Sequence, residues 1–216
     1  MRIATLNTWG LPKVFTEDVS VRMREIGRRL AGLDLDAIAF QEVWTENAQL
    51  RLLRAGQAAG LPHSWHAAPG LRSSGLLALS RFPIEGVRFE PYTLDGLPSL
   101  GDYYGGKGFA ELRLATPDGP LTLFDTPLLA RYTSDAPHEY RAQRVGQIIE
   151  LASGVAALRG PLLVAGDFNL DDSKEEYGVL LGLTGARDSA AELGARSPTV
   201  YVANPYRAHA HKPDRR

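Results

Sequence analysis

Three short stretches of the sequence share one form: an apolar run that ends in side chains able to hold a cation or a phosphate. Asn7 follows IATL, Gln41 and Glu42 follow AIAF, and Asp167 and Asn169 follow LLVAG. Carboxylates and side-chain amides are hard oxygen donors. A carboxylate with amide and carboxylate neighbours suits Mg²⁺, which binds through one or two carboxylates and keeps water or substrate phosphate in its other positions. Singly, each stretch has a simpler reading. Asn7 begins a turn, Glu42 is an ion-paired residue at a strand edge, and Gly166-Asp167-Phe168-Asn169 is a β-turn. In this order, each at the end of an apolar run, they form a much more specific set.

Such a set needs rigid elements behind it. Sites gather at strand ends because a sheet positions the loops there. RIATLN alternates as a strand does, and DAIAFQEV and PLLVAGDF are apolar runs of strand length. SWHAA and GLLALSRFP read as strands, the second ended by Pro83, and GVRFEPYTL as a strand bulged at Pro91. GFAELRLATPDGPLTLFDT is two alternating strands around Pro-Asp-Gly, a hairpin signal. Between them lie helical patterns. Val19, Met23, Ile26, Leu30 and Leu33 recur at spacings of 4, 3, 4 and 3, with Thr16 and Asp18 as caps. TENAQLRLLRAGQAAG is a second helix with Thr45 as N-cap. HEYRAQRVGQIIELASGVAAL is a third, with Val145, Ile149, Ala152 and Ala156 on one face, and SKEEYGVLLGL is a short fourth. From about Ala190 the chain reads as irregular. Strands mixed with helices in this way predict a layered α/β fold.

The 216 residues suit one domain, and 44% apolar with 23% charged residues is a globular balance. A formal net charge of −1 gives no global field for DNA or an anionic membrane, so nucleic acid is the less favoured partner. There is no cysteine, which removes disulfides and thiolate chemistry. No apolar segment approaches the roughly 20 residues of a membrane span, and no signal peptide is visible. The cytoplasm is the default location, with secretion as the alternative if a leader has been removed.

The pattern TLNTWGLP, then FQEVW, then GDFN resembles the endonuclease/exonuclease/phosphatase superfamily, the deoxyribonuclease I-like fold. NTWGLP, GLLALSRFPI, DGLPSLGDYYGGKG, EYRAQRVGQIIEL and a late NPY are similar to its neutral sphingomyelinase branch. The resemblance implies a four-layer sandwich of two mixed sheets with outer helices, and Mg²⁺-dependent hydrolysis of a phosphodiester by in-line attack of water. It implies that Glu42 holds the metal with Asn7 beside it, that Asp167 orients or activates the water, and that Asn169 hydrogen-bonds a phosphate oxygen. Asp102 and Lys107 are implied in lipid-substrate control, against the simpler reading of Lys107 as an exposed loop lysine. The implied partner is a phosphodiester, such as a choline phospholipid at a membrane surface. The alternatives are a nuclease or phosphatase of the same fold, and a non-catalytic chain that binds a phosphoester or a protein.

Two departures stand out. The superfamily's strand carries a histidine where LFDTPLLARY has Pro127. A proline side chain carries no proton, and its missing N–H suits a strand end. His63, His66, His138, His209 and His211 read as surface or hydrogen-bonded histidines, with His138 at a helix start. The chain also stops at AHKPDRR, before the final strands and the terminal Ser-Asp-His that the resemblance leads one to expect. The expectation is a single domain over residues 1–216, incomplete at its C-terminus, with sheet edges or apolar faces uncovered. Its hydrolase activity is expected to be little or none, because a positioned acid or base contributes about 10²- to 10⁴-fold.

Overall fold

The computed structural model describes residues 1–70, 72–94, 96, 101–131, 140–171, 175–195, 197–201 and 204. They fall into two compact units. The first is Met1–Pro127 with Gly160–Phe168, and the second is Leu128–Arg159 with Asn169–Arg216.

The first unit holds two four-stranded mixed sheets. One sheet has the order β1-β2-β4-β3, from β1 (Ile3–Asn7), β2 (Ala37–Gln41), β3 (His63–His66) and β4 (Leu77–Ser80). β1 and β2 are parallel, with Asn7 beside Gln41, and the other pairs are antiparallel. The other sheet has the order β5-β6-β7-β8, from β5 (Ile84–Pro91), β6 (Gly108–Thr116), β7 (Gly119–Pro127) and β8 (Leu162–Asp167). Here β7 and β8 are parallel and the rest antiparallel. The expected hairpin is β6–β7, with Thr116 paired to Gly119. The expected bulge at Pro91 is not there. The register shifts at Ile84/Gly86 instead, and Pro91 pairs with Gly108 as the last residue of β5.

The two sheets pack face to face through small and aliphatic side chains. Ala37, Ala39 and Ala78 of the first meet Ala110, Leu112, Leu114 and Leu123 of the second. Alanine on one side lets leucine interdigitate from the other. The outer face of the first sheet is covered by α1 (Val19–Leu33) and α2 (Glu46–Ala58), through Val19, Met23, Leu30, Ala48 and Leu52 against Ile38, Phe40, Leu77 and Leu79. Thr45 caps α2 as its sequence predicts, accepting from the Ala48 N–H at 3.2 Å. Asp18 stands at the N-cap of α1 with a left-handed backbone (φ 54°), where a capping residue is usually extended. Strands β1 and β8 are sheet edges and leave Leu6 and Leu163 exposed.

The second unit contains α3 (Arg141–Ala156), α4 (Glu175–Thr184) and the short α5 (Ser189–Glu192), the last in a stretch expected to be irregular. The buried face of α3 runs through Arg144, Ile148, Leu151 and Val155. Ile149, expected inside, is half exposed. The cause is Arg144: its charge is buried but paired, its Nε donating to Glu176 Oε1 of α4 at 2.8 Å, and so a polar residue takes a core position.

Candidate phosphoester site

Asn7, Glu42 and Asp167 come from the ends of β1, β2 and β8, and the fold brings all three together. The Asn7 side-chain nitrogen donates to Glu42 Oε1 and to Asp167 Oδ2, each at 2.8 Å. All three residues are half-buried. The amide orientation is fixed at its other atom, because Asn7 Oδ1 accepts from the Trp9 N–H at 2.9 Å. A neutral donor thus stands between two carboxylates that would otherwise face each other as like charges.

The backbone around Glu42 is held just as firmly. Glu42 lies just past β2 with φ at 59°, a left-handed conformation that is costly for a residue with a Cβ. Its carbonyl accepts from the Gly10 N–H at 2.8 Å and from Thr8 Oγ1 at 3.1 Å. The Thr8 N–H donates to the Gln41 carbonyl at 2.9 Å. The Thr-Trp-Gly segment therefore wraps the end of β2. Gly10 is required for that approach, since a Cβ there would stand 2.7 Å from the Glu42 carbonyl oxygen.

Asp167 is positioned by sheet register. It is the last residue of β8, and Pro127, the last of β7, lies beside it as its parallel partner. Pro127 thus stands at a strand end, as its missing N–H demands. One step back, Gly166 faces Thr126 with φ at 149°, and a Cβ would overlap the Thr126 carbonyl oxygen. Only glycine lets the two strands close at this point. Thr126 is buried and shares a 2.6 Å hydrogen bond with the Tyr92 hydroxyl.

Beneath the cluster lies a polar group that sequence reasoning missed. Asp125 is fully buried, and Gln41 Nε2 donates to its Oδ1 at 2.6 Å. Gln41 also donates to Thr5 Oγ1 at 3.0 Å, so the network links β7 to β2 and β1. Among the described residues Asp125 Oδ2 has no hydrogen-bond partner. Burial pushes this carboxyl well above the usual aspartate range, and the Gln41 hydrogen bond opposes the rise without cancelling it. The signal was present in the sequence: Leu121, Leu123 and Asp125 share one strand face, and the third is ionisable where the first two are core.

The other expected residues have surroundings of their own. Lys107 is 3% exposed, which excludes the exposed-lysine reading, and its carbonyl accepts from the Tyr92 N–H at 2.9 Å. Asp102 is in the 3₁₀ turn Gly101–Tyr104, and its side chain lies outside the described residues. Asn169 belongs to the second unit, where its Nδ2 donates to the Leu128 carbonyl at 3.0 Å with φ at 50°. His138, His209 and His211 also lie outside the described residues, and His63 and His66 are the two ends of β3.

The donor set fits a hard divalent cation. It is two carboxylates, the hard oxygen donors that Mg²⁺ completes with water, and the Asn7 amide holds them through its nitrogen rather than offering its oxygen. Among the described residues no three His, Cys, Asp or Glu side chains converge, so a site closed by such side chains alone is not built there.

The model of the Endonuclease/Exonuclease/phosphatase family matches this chain over residues 4–214. The chain belongs to that family. Within it, the chain is 31% identical over 198 residues to sphingomyelin phosphodiesterase 2 of Homo sapiens, covering 89% of this chain and 46% of that one. It is 32% identical over 177 residues to inositol phosphosphingolipids phospholipase C of Schizosaccharomyces pombe, covering 79% and 41%. The chain therefore spans less than half the length of these two relatives. The family fold is also shared with a beta toxin variant from Staphylococcus aureus with bound magnesium ions. That match has a TM-score of 0.71 at 19% identity, and covers 85% of this chain and 70% of that one.

Proposed function

We propose that this chain is a phosphodiesterase domain of the sphingomyelinase type, acting with Mg²⁺ on the phosphodiester of a sphingolipid. The observation that carries the reading is the convergence of Glu42 and Asp167 on the Asn7 amide. The two relatives above, whose names specify sphingolipid phosphodiesters, support the substrate class. Glu42 would hold the cation, with Asn7 beside it orienting the carboxylate, and the cation supplies charge stabilisation at a phosphoryl oxygen when bound. Asp167, fixed by Asn7 and by the β7–β8 register, orients the attacking water and accepts its proton. Asp102 and Lys107 are assigned to control of lipid substrate, and the burial of Lys107 points to regulation rather than direct headgroup contact.

Turnover by this chain is slow in this account, because Pro127 stands beside Asp167 where the family resemblance leads one to expect a histidine. The same observation favours a second reading, a chain that binds a phosphoester and does not cleave it. The test is release of phosphocholine from sphingomyelin in Mg²⁺. A low rate that Glu42→Gln and Asp167→Asn abolish supports the first reading. A rate indifferent to both substitutions overturns it. Substrate binding without any release selects the second.

A further inference from the structure

The loop between β1 and α1 carries a feature that the site does not use. Its tip is a turn in which the Phe15 N–H donates to the Pro12 carbonyl at 2.9 Å. Val14 is 82% exposed, Phe15 64% and, at the root of the loop, Trp9 41%. Exposed apolar side chains normally scatter singly, and a group of them marks a contact surface.

The loop is braced rather than slack. Arg22 of α1 donates to the carbonyls of Thr8, Trp9 and Glu17 and to Thr16 Oγ1. Its guanidinium carbon also lies 5.8 Å from the Trp9 ring centroid, within cation–π range. One side chain thus ties down both arms of the loop, and Val14 and Phe15 are held outward. Lys13 is exposed at the same tip. Beside it opens a cleft of about 150 Å³ lined by apolar Leu11, Val19 and Met23, with Lys13 and Arg51 also in its lining.

We propose that this loop docks the domain on a phospholipid bilayer. Val14 and Phe15 enter the interfacial layer, Trp9 sits at headgroup level, and Lys13 and Arg51 meet lipid phosphates. An apolar tip with an aromatic residue and cations around it is the chemistry that a bilayer interface accepts. Glu17 and Asp18 at the helix end of the loop balance those cations, which matches a zwitterionic surface. The loop is also bonded to the site, since the Gly10 N–H donates to the Glu42 carbonyl at 2.8 Å. A surface that seats the loop is thereby brought to Glu42. The placement rests on the lipid-phosphodiester reading above.

The test is sedimentation of the full chain with phosphatidylcholine vesicles, comparing the wild type with Val14→Asp/Phe15→Asp and with the milder Phe15→Ser. Both positions are exposed, and circular dichroism checks that each variant is folded. The wild type is expected to partition onto the vesicles, the double variant about tenfold less or weaker still, and Phe15→Ser in between. Brominated lipid is expected to quench tryptophan emission in the wild type and not in the double variant. Equal partition of all three proteins would overturn the proposal. So would self-association that the double variant loses, without vesicle binding, because the loop would then serve a second copy of the chain. Sedimentation needs no turnover. Vesicle binding that depends on Val14 and Phe15 without hydrolysis therefore supports the docking loop and counts against the catalytic reading alone.

Discussion

Asn7 and Asp167 are 160 positions apart in the chain, and the Asn7 amide nitrogen lies 2.8 Å from Asp167 Oδ2. The same nitrogen reaches Glu42 at the same distance, so one neutral side chain organises both carboxylates. Asn7→Ala removes a donor that two charged groups share. Hydrogen bonds to charged partners contribute about 1.5–3 kcal/mol each, with partial compensation by water at a half-buried site. The variant is expected to lose on the order of 1–3 kcal/mol in urea unfolding. An unchanged midpoint would mean that the carboxylates are held by other groups.

Gly166 is the tightest point of the site. Its φ of 149° and the closeness of the Thr126 carbonyl leave no room for a side chain. Gly166→Ala is expected to cost at least about 3 kcal/mol, because both the backbone conformation and the β7–β8 contact would have to give. The control is Gly178→Ala in α4, where a Cβ meets nothing within 4 Å. That change is expected to be neutral or stabilising by up to about 1 kcal/mol. Comparable losses at both positions in denaturant titrations would remove the special role of Gly166.

Asp125 predicts a pH dependence. Its carboxyl titrates well above the ordinary aspartate range in the folded chain because burial disfavours the charged form. Below the unfolded pKa both states hold the proton, and no stability is lost. As pH rises above it, the unfolded chain releases a proton that the folded chain keeps, so stability falls by up to about 1.4 kcal/mol per pH unit until the folded pKa is reached. Asp125→Asn cannot titrate. Its unfolding free energy relative to wild type is expected to improve steadily from about pH 4 upward, until the folded carboxyl ionises. Parallel stability curves for the two proteins would show that Asp125 ionises normally.

Much of this was legible in the sequence. The three apolar runs that end in Asn7, Glu42 and Asp167 identified the strands and the cluster, because period and strand-end polarity are local signals. Thr45 and the Pro-Asp-Gly hairpin were legible for the same reason. What was not legible depended on partners distant in the chain. The face of α3 is one residue away from its apolar pattern because Arg144 finds Glu176, and Lys107 is buried although its Gly-rich neighbours suggest a surface loop. Asp125 shows only a local hint, an ionisable side chain on the strand face of Leu121 and Leu123, and its partner appears only when β2 brings Gln41 across the sheets.

Glu42, Asn7 and Asp167 are assigned above to a cation-dependent phosphoester site, and every catalytic step proposed for the chain depends on that assignment. Calorimetric titration with Mg²⁺ tests it without requiring turnover. The wild type is expected to bind saturably, and Glu42→Gln, which keeps the shape and removes the charge, to bind at least about tenfold more weakly. Superimposable titrations of the two proteins would contradict it.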